Sequence, residues 1–322
     1  MSVPIISADT LRAGVSFEDL IEPVSLAFQQ SSAGEAENDL IVMFPQKDRS
    51  KGDVYVKTGS VEGAPFYIVK VSPWFAENAS RSCPQGGFIA VFDSQTGHTV
   101  ALLDEQHYLS DIRTAAAGAL AARMFAPPVI RYASVLGSGV QAYWQVLALH
   151  HERPFETLRI WARDPAKARI LAAKLGPKLG DAVIDIDSDL ERVVRMSDVL
   201  LTTTLSREPL VKGEWLHPGQ HITAVGADDQ TKCELDMTAL SRARVFVDST
   251  TTTIDNGDVH RAINAGGYLA ADLSGEIGDV LAGLISGRIS DDDITIAKFV
   301  GIGAQDLAAA SIAIRNLCIS AL

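Results

Sequence analysis

The sequence predicts an α/β protein in which an α+β region is followed by a doubly wound parallel sheet. Strand-like and helix-like runs alternate between residues 129 and 300, which is typical of a parallel sheet covered by helices on both faces. Between residues 40 and 103, short β-type runs are separated only by turns, which indicates an antiparallel or mixed sheet. A chain of 322 residues has room for two such domains.

Composition limits the partners that the chain can bind. With 28 basic and 40 acidic residues the net charge is −12, which disfavours nucleic acid and anionic membrane surfaces as partners. Cys83, Cys233 and Cys318 form neither a metal motif nor a disulfide framework, so we expect no metal site and a reducing compartment. The sequence shows no signal-peptide pattern and no apolar run that could cross a bilayer. These features predict a cytoplasmic protein.

The first 126 residues are expected to form the α+β region. A short strand at residues 5–7 precedes a helix that begins near Ser16 and reaches Gln30. The β-type runs that follow are residues 39–44, 54–58, 66–71, 88–92 and 100–103. An Ala-rich helix over residues 109–124, with Ser110 as its N-cap, ends before Pro127-Pro128. These prolines mark the predicted junction with the next domain.

Residues 127–301 are expected to contain the parallel sheet. The predicted strands are residues 133–136, 158–161, 199–203, 221–225 and 245–247, with 268–271 as a sixth candidate. A final helix from Gln305 to Leu322 follows, and we expect it to pack against the first domain.

The stretch at residues 132–142 carries the clearest functional pattern. A strand-like run, a turn with Gly137 and Gly139, and a helix-like run follow one another there. In that context Gly-x-Gly-x-x-Ala predicts a dinucleotide site, since the first glycine permits the tight turn and the second lets N–H groups approach the pyrophosphate. Ala142 lets the helix, whose N-terminus favours anions, lie close to the strand. An ordinary strand-to-helix connection is the alternative.

The next strand, at residues 157–161, bears on the choice of dinucleotide. NAD sites usually place Asp or Glu at the end of this strand, where it accepts from the ribose 2′-hydroxyl. Here that position is Ala162, followed by Arg163, whose guanidinium suits a 2′-phosphate. We therefore expect NADP(H), with NAD(H) as the alternative. Asp164 is better placed to cap a helix at residues 165–175 than to bind the ribose.

Three cations occupy positions that call for a charged partner. Lys57 and Lys70 lie within apolar strands, where a buried ammonium needs a carboxylate or a polar cleft. Arg113 lies near the start of the Ala-rich helix, where a cation opposes the helix dipole, and its guanidinium could bind a substrate carboxylate. The alternatives are solvent-facing lysines on a half-exposed strand, and a surface salt bridge from Arg113 to Asp111 or Glu105.

Polar residues also follow two strands of the predicted parallel sheet. Asp228 comes after the strand at residues 221–225, and Thr203 and Thr204 come at the end of the strand at residues 199–203. Ligands of such sheets bind at the carboxyl ends of the strands, so Asp228 could exchange a proton with a substrate nitrogen. A turn or helix-cap role is the alternative, because Asp229 is directly adjacent.

Several short motifs occur along nearly the whole chain. They are Ile112-Arg-Thr-Ala-Ala116, Leu136-Gly-Ser-Gly-Val-Gln-Ala-Tyr143, Glu208-Pro-Leu, Gly213-Glu-Trp-Leu-His-Pro-Gly219, His221-Ile-Thr-Ala-Val-Gly-Ala227, and Phe299-Val-Gly301 with Asp306. In combination they resemble the ornithine cyclodeaminase/mu-crystallin family. The resemblance implies a homodimer in which residues 1–126 and 302–322 form a substrate-binding and dimerisation domain around an inserted Rossmann domain, residues 127–301.

The resemblance also implies roles for particular residues. Lys70 and Arg113 match residues that hold a substrate carboxylate, Asp228 matches an acid/base carboxylate, and Lys232 matches a lysine near the cofactor. The predicted cofactor-binding residues are Gly137, Gly139, Val140, Gln141, Arg163, Thr203, Thr204, Val225, Lys232 and Lys298.

Lys57 departs from the family pattern. It occupies the place where the cyclodeaminases carry a glutamate near the substrate amine, and a cation is a poor neighbour for the ammonium of ornithine. We therefore expect a NAD(P)H-dependent reductase of α-imino acids, with Lys57, Lys70 and Arg113 binding the small imino or amino acid and Asp228 moving a proton. The alternatives are an ornithine cyclodeaminase-type lyase with bound NAD, and a non-catalytic NADPH-dependent ligand-binding protein.

Overall fold

The computed structural model describes residues 3–80 and 86–319, so Cys83 lies outside the described residues. The chain divides into two compact units, Met1–Ala116 with Ile302–Leu322, and Ala117–Gly301. The division falls inside the helix Tyr108–Phe125, whereas the sequence places a domain border after that helix. Among the described helices, none combines the length and the apolar character that crossing a membrane would require.

Strands and helices alternate through most of the described residues. The strands are β1 (Ile5–Ser7), β2 (Ala36–Met43), β3 (Gly52–Val61), β4 (Phe66–Phe75), β5 (Phe88–Asp93), β6 (Thr99–Asp104), β7 (Ile130–Leu136), β8 (Phe155–Trp161), β9 (Val183–Ile186), β10 (Val199–Thr202), β11 (His221–Ala224), β12 (Arg244–Val247), β13 (Gly275–Glu276) and β14 (Thr295–Lys298). The helices are α1 (Ala8–Gly14), α2 (Ile21–Ser32), α3 (Tyr108–Phe125), α4 (Val140–Glu152), α5 (Pro165–Leu175), α6 (Leu190–Arg195), α7 (Met237–Arg242), α8 (Thr250–Ile254), α9 (Gly257–Asn264), α10 (Ile277–Leu281) and α11 (Gly303–Asn316).

The first unit is built on a six-stranded sheet in the order β1-β6-β5-β4-β3-β2. β1 is parallel to β6 and the other neighbours are antiparallel, so the predicted antiparallel or mixed sheet is confirmed. α11 packs on β3 so closely that a Cβ on Gly303 would lie 1.8 Å from the carbonyl oxygen of Thr58. A Cβ on Gly59 would lie 2.4 Å from the carbonyl oxygen of Gly303. This approach of helix to strand therefore requires glycine on both sides.

The second unit is built on eight parallel strands in the order β13-β12-β14-β11-β10-β7-β8-β9. β7 comes first in the chain, yet it lies inside the sheet with β8 on one side and β10 on the other. The winding direction reverses between β7 and β10, and ligands of doubly wound sheets bind at this switch point. Adjacent residues Val135 and Leu136 belong to different buried clusters, so both faces of the sheet are covered. This topology confirms the predicted doubly wound fold.

The prediction of a strand at residues 268–271 is wrong. Tyr268 is buried in the core of the second unit, and the Leu269 N–H donates to the Asp272 carboxylate at 2.8 Å. This bond opens a 3-10 turn at Ala270–Asp272, which removes the backbone from any strand ladder. In the sheet, the position between β11 and β12 is occupied by β14, residues 295–298.

Ser110 is not the N-cap of α3, because the helix begins at Tyr108 and Ser110 lies in its first turn. The backbone N–H and the hydroxyl of Ser110 both donate to the Glu105 carboxylate at 2.8 Å. Gln106 and His107 have φ values of 47° and 71°, the left-handed region that side chains rarely adopt, and their turn precedes the helix start. The cap is therefore a carboxylate five residues before Ser110, outside the helix.

Candidate functional site

The turn after β7 requires glycine at its first position. Gly137 has a φ of 126°, and a Cβ placed on it would lie 2.4 Å from Oγ1 and 3.0 Å from the carbonyl oxygen of Thr203. Its N–H donates to the carbonyl of Trp161 at 2.9 Å, and the N–H of Thr203 donates to the carbonyl of Leu136 at 2.9 Å. The turn is thus fixed between the ends of β8 and β10, with no space for a side chain.

Gly139, the second glycine, faces open space. It is the N-cap residue of α4, and apart from its two chain neighbours no residue in the described part of the chain lies within 4 Å of a Cβ placed on it. A glycine offers no side chain to cap the first N–H groups of this 13-residue helix. Val140 beside it is 43% exposed, whereas Ala142 is fully buried against the strand. These residues fit a dinucleotide, because the helix N-terminus, its uncapped N–H groups and an open cradle coincide.

Thr203 and Thr204 follow β10, and Val225 follows β11, each at the carboxyl end of its strand. These three residues are half-buried, as is Gln141 in the first turn of α4. The Val225 N–H donates to the carbonyl of Thr202 at 3.0 Å, which keeps the two strand ends aligned. The structure therefore gathers these predicted cofactor residues at one edge of the sheet, beside the switch point.

Asp164 caps the helix that follows β8. Its Oδ1 accepts from the Ala166 N–H at 2.9 Å, and Pro165 occupies the first helical position, so the interpretation of Asp164 as a cap is confirmed. Arg163, one residue earlier, is exposed and follows directly on Ala162. The end of β8 thus presents a guanidinium to solvent, while the carboxylate next to it is engaged in the helix cap.

In the first unit, Lys70 and Arg113 share one oxygen of a buried carboxylate. Lys70 Nζ lies 2.8 Å and Arg113 Nε lies 2.9 Å from Oδ1 of Asp306, near the start of α11. Lys70 also donates to Ser110 Oγ at 3.0 Å, and Arg113 Nη1 donates to Thr114 Oγ1 at 2.7 Å. Because Lys70 is 2% and Arg113 7% exposed, the alternatives of a solvent-facing lysine and a surface salt bridge are wrong for them.

Lys57 belongs to the same cluster. It lies directly opposite Lys70 in the pairing of β3 with β4 and is only 6% exposed, so the solvent-facing alternative is wrong here too. Like charges directly opposite each other on two strands repel, and a nearby anion offsets this repulsion. Burial by itself would raise the pKa of Asp306, but Arg113, Lys70 and Lys57 together hold it well below its ordinary value. Asp306 is therefore the anion around which the cations are arranged.

His107 adds a titratable group beside this cluster. Its Nδ1 lies 3.0 Å from Oδ1 of Asp111, one helical turn further along the chain. Burial by itself would lower the pKa of His107, and Lys70 acts in the same direction. The carboxylates of Asp111 and Glu105 outweigh both, so the pKa of His107 is raised above its ordinary value.

In the second unit, Asp228 and Asp229 have different partners. Asp228 Oδ1 accepts from Lys232 Nζ at 2.5 Å, and its side chain is 37% exposed. Asp229 Oδ1 accepts from the backbone N–H groups of Thr231 and Lys232 at 2.6 and 2.9 Å, the pattern of a turn-forming Asp. The carboxylate that the structure presents at this loop is therefore that of Asp228, with Lys232 beside it.

Lys298 is placed differently from the predicted cofactor contact. Its side chain is fully buried, with Nζ 3.0 Å from Asp258 Oδ2 and donating to the carbonyl of Ala227. Both interactions hold the ammonium inside the unit, so this arrangement does not favour a direct contact with a ligand.

The sequence patterns give no role to Asp306, to His107, or to Glu234, a buried glutamate whose carboxylate accepts from the Thr202 hydroxyl at 2.8 Å. Asp306 has a recognisable signal, since it is an isolated carboxylate in an Ala-rich run of α11. Glu234 follows Lys232 closely in a polar loop, where nothing in the sequence marks it as buried. Within residues 3–80 and 86–319, no group of His, Cys, Asp and Glu is arranged to hold a metal ion.

Comparison with known proteins finds similar sequences and similar solved structures. A Rhizobium meliloti (strain 1021) protein, provisionally named a dehydrogenase, is 44% identical over 264 residues, which are 82% of this chain and 80% of that protein. The structure of Thermococcus litoralis Δ1-pyrroline-2-carboxylate reductase in complex with NADH and L-proline has a TM-score of 0.92 at 26% identity, covering 98% of each chain.

A second solved structure is also similar over nearly the whole chain. An archaeal alanine dehydrogenase, a dimer with bound NAD, has a TM-score of 0.90 at 28% identity, covering 99% of this chain and 97% of its own. The family model for the ornithine cyclodeaminase/mu-crystallin family matches residues 5–318, nearly the whole length. On this match and on the shared fold, the chain belongs to the ornithine cyclodeaminase/mu-crystallin family.

Proposed function

We propose that this protein is an NAD(P)H-dependent reductase of α-imino acids, which in reverse acts as an amino-acid dehydrogenase. The observation that carries the proposal is the buried pair Lys70 and Arg113, whose cationic groups converge on one carboxylate oxygen. Two similar structures are those of a pyrroline-2-carboxylate reductase with L-proline and an alanine dehydrogenase. The compounds in those names carry a carboxylate next to a carbon bonded to nitrogen, which is the group that such a pair recognises.

The turn at Gly137 and Gly139 is proposed to hold the cofactor through the N-terminal N–H groups of α4. A nicotinamide dinucleotide supplies the hydride when it is bound. The exposed Arg163 after Ala162 favours NADP(H), because a guanidinium pairs with a 2′-phosphate and Asp164 is engaged as a helix cap. NAD(H) is the alternative, which is supported by the NADH and NAD in the two similar structures.

Lys70 and Arg113 are proposed to orient the substrate through its carboxylate. Their contacts with Asp306, Ser110 and Thr114 use two of the three donors of Lys70 and two of the five of Arg113. The remaining donors can bind a substrate carboxylate, while Asp306 restricts the rotamers of both side chains. Fixing the carboxylate fixes the adjacent C=N carbon, which lowers the entropic cost of reaction.

Lys57 is proposed to select against a cationic substrate side chain. An ammonium that is buried opposite Lys70 repels the side-chain ammonium of ornithine, and this disfavours the cyclodeaminase alternative. The same charge favours a substrate with a second acidic group, such as iminosuccinate.

Asp228 is proposed to handle the proton on the substrate nitrogen. The imine nitrogen must be protonated before its carbon accepts hydride readily, and a carboxyl group at the nitrogen can deliver that proton. In the reverse direction the carboxylate takes the proton from the amine. Lys232 holds Oδ1 of Asp228 at 2.5 Å and so orients the group, with the second oxygen left to contact the nitrogen.

We also propose that the protein is a homodimer, as the archaeal alanine dehydrogenase is. The sheet of the first unit ends in β2, whose Ile41 and Met43 are 60% and 44% exposed. An exposed apolar edge strand favours association with another chain. Sedimentation velocity tests this, with a species of twice the 34.4 kDa chain mass expected and a species of 34.4 kDa contradicting it.

The activity is tested by following the loss of reduced-nicotinamide absorbance with NADPH and then NADH. The imine panel contains Δ1-pyrroline-2-carboxylate, Δ1-piperideine-2-carboxylate, pyruvate with ammonia, and oxaloacetate with ammonia. Oxidation of NADPH or NADH with a panel member supports the reductase activity. A preference for oxaloacetate over pyruvate supports the proposal that Lys57 favours a substrate with a second acidic group. Formation of proline from ornithine without net cofactor use would move the protein to the lyases. Cofactor binding without turnover in either assay would favour the ligand-binding alternative.

The variant Asp228→Asn tests the proton role. We expect it to reduce kcat by on the order of 10²-fold or more, the range of general acid–base effects, and to leave NADPH binding unchanged. Asp181→Asn is the matched control, since Asp181 is an exposed carboxylate of the same unit. Turnover that survives Asp228→Asn would show that another group moves the proton.

A further inference from the structure

The loop at residues 226–229, which carries Asp228, is held by its backbone. The Gly226 N–H donates to Glu234 Oε2 at 2.9 Å, and the carbonyl of Ala227 accepts from Lys298 Nζ. The carbonyl of Asp229 accepts from the Gly257 N–H at 2.9 Å. Three successive anchors therefore surround Asp228, although its own side chain is partly exposed.

Glu234 connects this loop to the neighbouring strand end. Its Oε1 accepts from the Thr204 N–H at 2.6 Å, and its Oε2 accepts from the Thr202 hydroxyl at 2.8 Å as well as from Gly226. The loop and the end of β10 leave no space for a side chain between them, because a Cβ on Gly226 would lie 2.4 Å from the carbonyl oxygen of Thr204 and 2.5 Å from Glu234 Oε1. One carboxylate thus bridges the ends of β10 and β11.

The bridge lies in a fully buried polar network. Glu234, Asp258 and Lys298 are at most 1% exposed, and Asp258 Oδ1 accepts from the backbone N–H of Glu234 at 2.6 Å. Asp258 Oδ2 lies 3.0 Å from Lys298 Nζ. Burial, with Asp258 adding to it, raises the pKa of Glu234 to about 7. An apolar residue at position 234 would leave these three donors without an acceptor, so the carboxylate is the group that joins the two strand ends.

We propose that Glu234 is a positioning residue, which fixes the loop of Asp228 against the strand end that carries Thr203 and Thr204. This inference rests on the proposed function, in which Asp228 moves the substrate proton. Glu234 itself contacts neither substrate nor cofactor in this proposal. It acts by holding the peptide of Gly226 at a set distance from that of Thr204.

The chemistry of the side chain provides a sharp test. A carboxyl group keeps a hydrogen bond to all three groups in either protonation state, because a protonated Oε2 can donate to the Thr202 oxygen and still accept from Gly226. The amide of Glu234→Gln has one acceptor oxygen only. With that oxygen toward Thr204 the NH₂ faces the Gly226 N–H, and with that oxygen toward Gly226 it faces the Thr204 N–H, so in either orientation one end of the bridge loses its acceptor. The variant therefore releases the loop while it preserves size.

Hydrogen–deuterium exchange and kinetics measure the two consequences separately. We expect Glu234→Gln to increase amide exchange in the peptide covering residues 226–229 by on the order of tenfold, and to reduce kcat by on the order of tenfold, with NADPH affinity unchanged within about threefold. The control Glu191→Gln changes an exposed glutamate of the same unit and should alter none of these quantities. If Glu234→Gln does not fold, Glu234→Asp takes its place, because the shorter side chain cannot reach both strand ends.

Unchanged exchange at residues 226–229 in the variant would overturn the proposal, whatever the activity. Increased exchange with unchanged kcat would also overturn it, since the loop would then be released without consequence for turnover. If the wild-type protein shows no turnover with any imine, the proposed function fails. The exchange measurement still decides in that case whether Glu234 holds the loop.

Discussion

Replacing Asp306 by Asn tests the view that this carboxylate organises the cation cluster. Asp306 Oδ1 lies 2.8 Å from Lys70 Nζ and 2.9 Å from Arg113 Nε, and all three side chains are buried. At an effective dielectric constant of about 20, each contact corresponds to a Coulomb energy of about 6 kcal/mol. The cost of burying the charges offsets most of this attraction in the native protein.

The variant loses the attraction but still buries the cations. Removing one partner of a buried pair costs about 3–5 kcal/mol, and here two cations lose their anion, so we expect a loss of about 5 kcal/mol in the free energy of unfolding. Urea unfolding, followed by circular dichroism and tryptophan fluorescence, measures this loss. The control is Asp9→Asn, since Asp9 pairs with Arg12 at 3.1 Å but is 95% exposed and should contribute little.

The pH dependence provides a second check. Because the pKa of Asp306 is lowered in the folded protein, its contribution is present above the pKa of the unfolded chain and is lost only as the pH falls through the folded-state value. The difference between wild type and Asp306→Asn should therefore be constant from about pH 8 to about pH 5 and shrink in stronger acid. A loss below about 1 kcal/mol at neutral pH would refute the view that the cluster depends on this anion.

Three further changes give distinct outcomes. Gly303→Ala places a Cβ 1.8 Å from the carbonyl oxygen of Thr58, so we expect a loss of about 3 kcal/mol or more, measured as a lower Tm. For His107→Gln, we expect wild type to be the more stable protein below about pH 6.5, and this margin to be lost as the pH rises through the raised pKa of His107, measured as Tm against pH. Arg163→Ser should raise KM for NADPH on the order of tenfold and leave KM for NADH unchanged.

For each of these three variants, a different result would contradict the stated reason. Gly176→Ala is the control for Gly303→Ala, because a Cβ on Gly176 has no close contact and its φ of −47° is open to any residue, so an equal loss in both would discount the helix–strand clash. A stability margin of His107 that grows with pH would have the wrong sign for a raised pKa. Equal effects of Arg163→Ser on both cofactors would show that the guanidinium does not contact a 2′-phosphate.

Local patterns in the sequence were sufficient for the doubly wound class of the second unit, but they did not predict its strands β9, β13 and β14. The strand–turn–helix run with Gly137, the alternation of strands and helices, and the cap formed by Asp164 all depend on residues close in the chain. The prediction at residues 268–271 failed because a short apolar run can be a strand or a buried turn, and only the bond from Leu269 to Asp272 distinguishes the two. The prediction of Ser110 as the N-cap of α3 is wrong because Ser110 lies inside the helix, and the acceptor for its N–H is Glu105, which lies outside the helix.

The sequence by itself determined that Lys57, Lys70 and Arg113 are cations in unusual positions, but it left open whether they face solvent. The tertiary structure decided this, because Asp306 lies 236 residues from Lys70 and 193 from Arg113 and reaches them only when α11 packs on the sheet of the first unit. The same holds for Glu234, whose three donors come from two strand ends. Local conformation follows from neighbouring residues, whereas the partner of a buried charge is set by which distant segments pack together, since a charge inside a protein is tolerated only where the fold supplies its counter-charge.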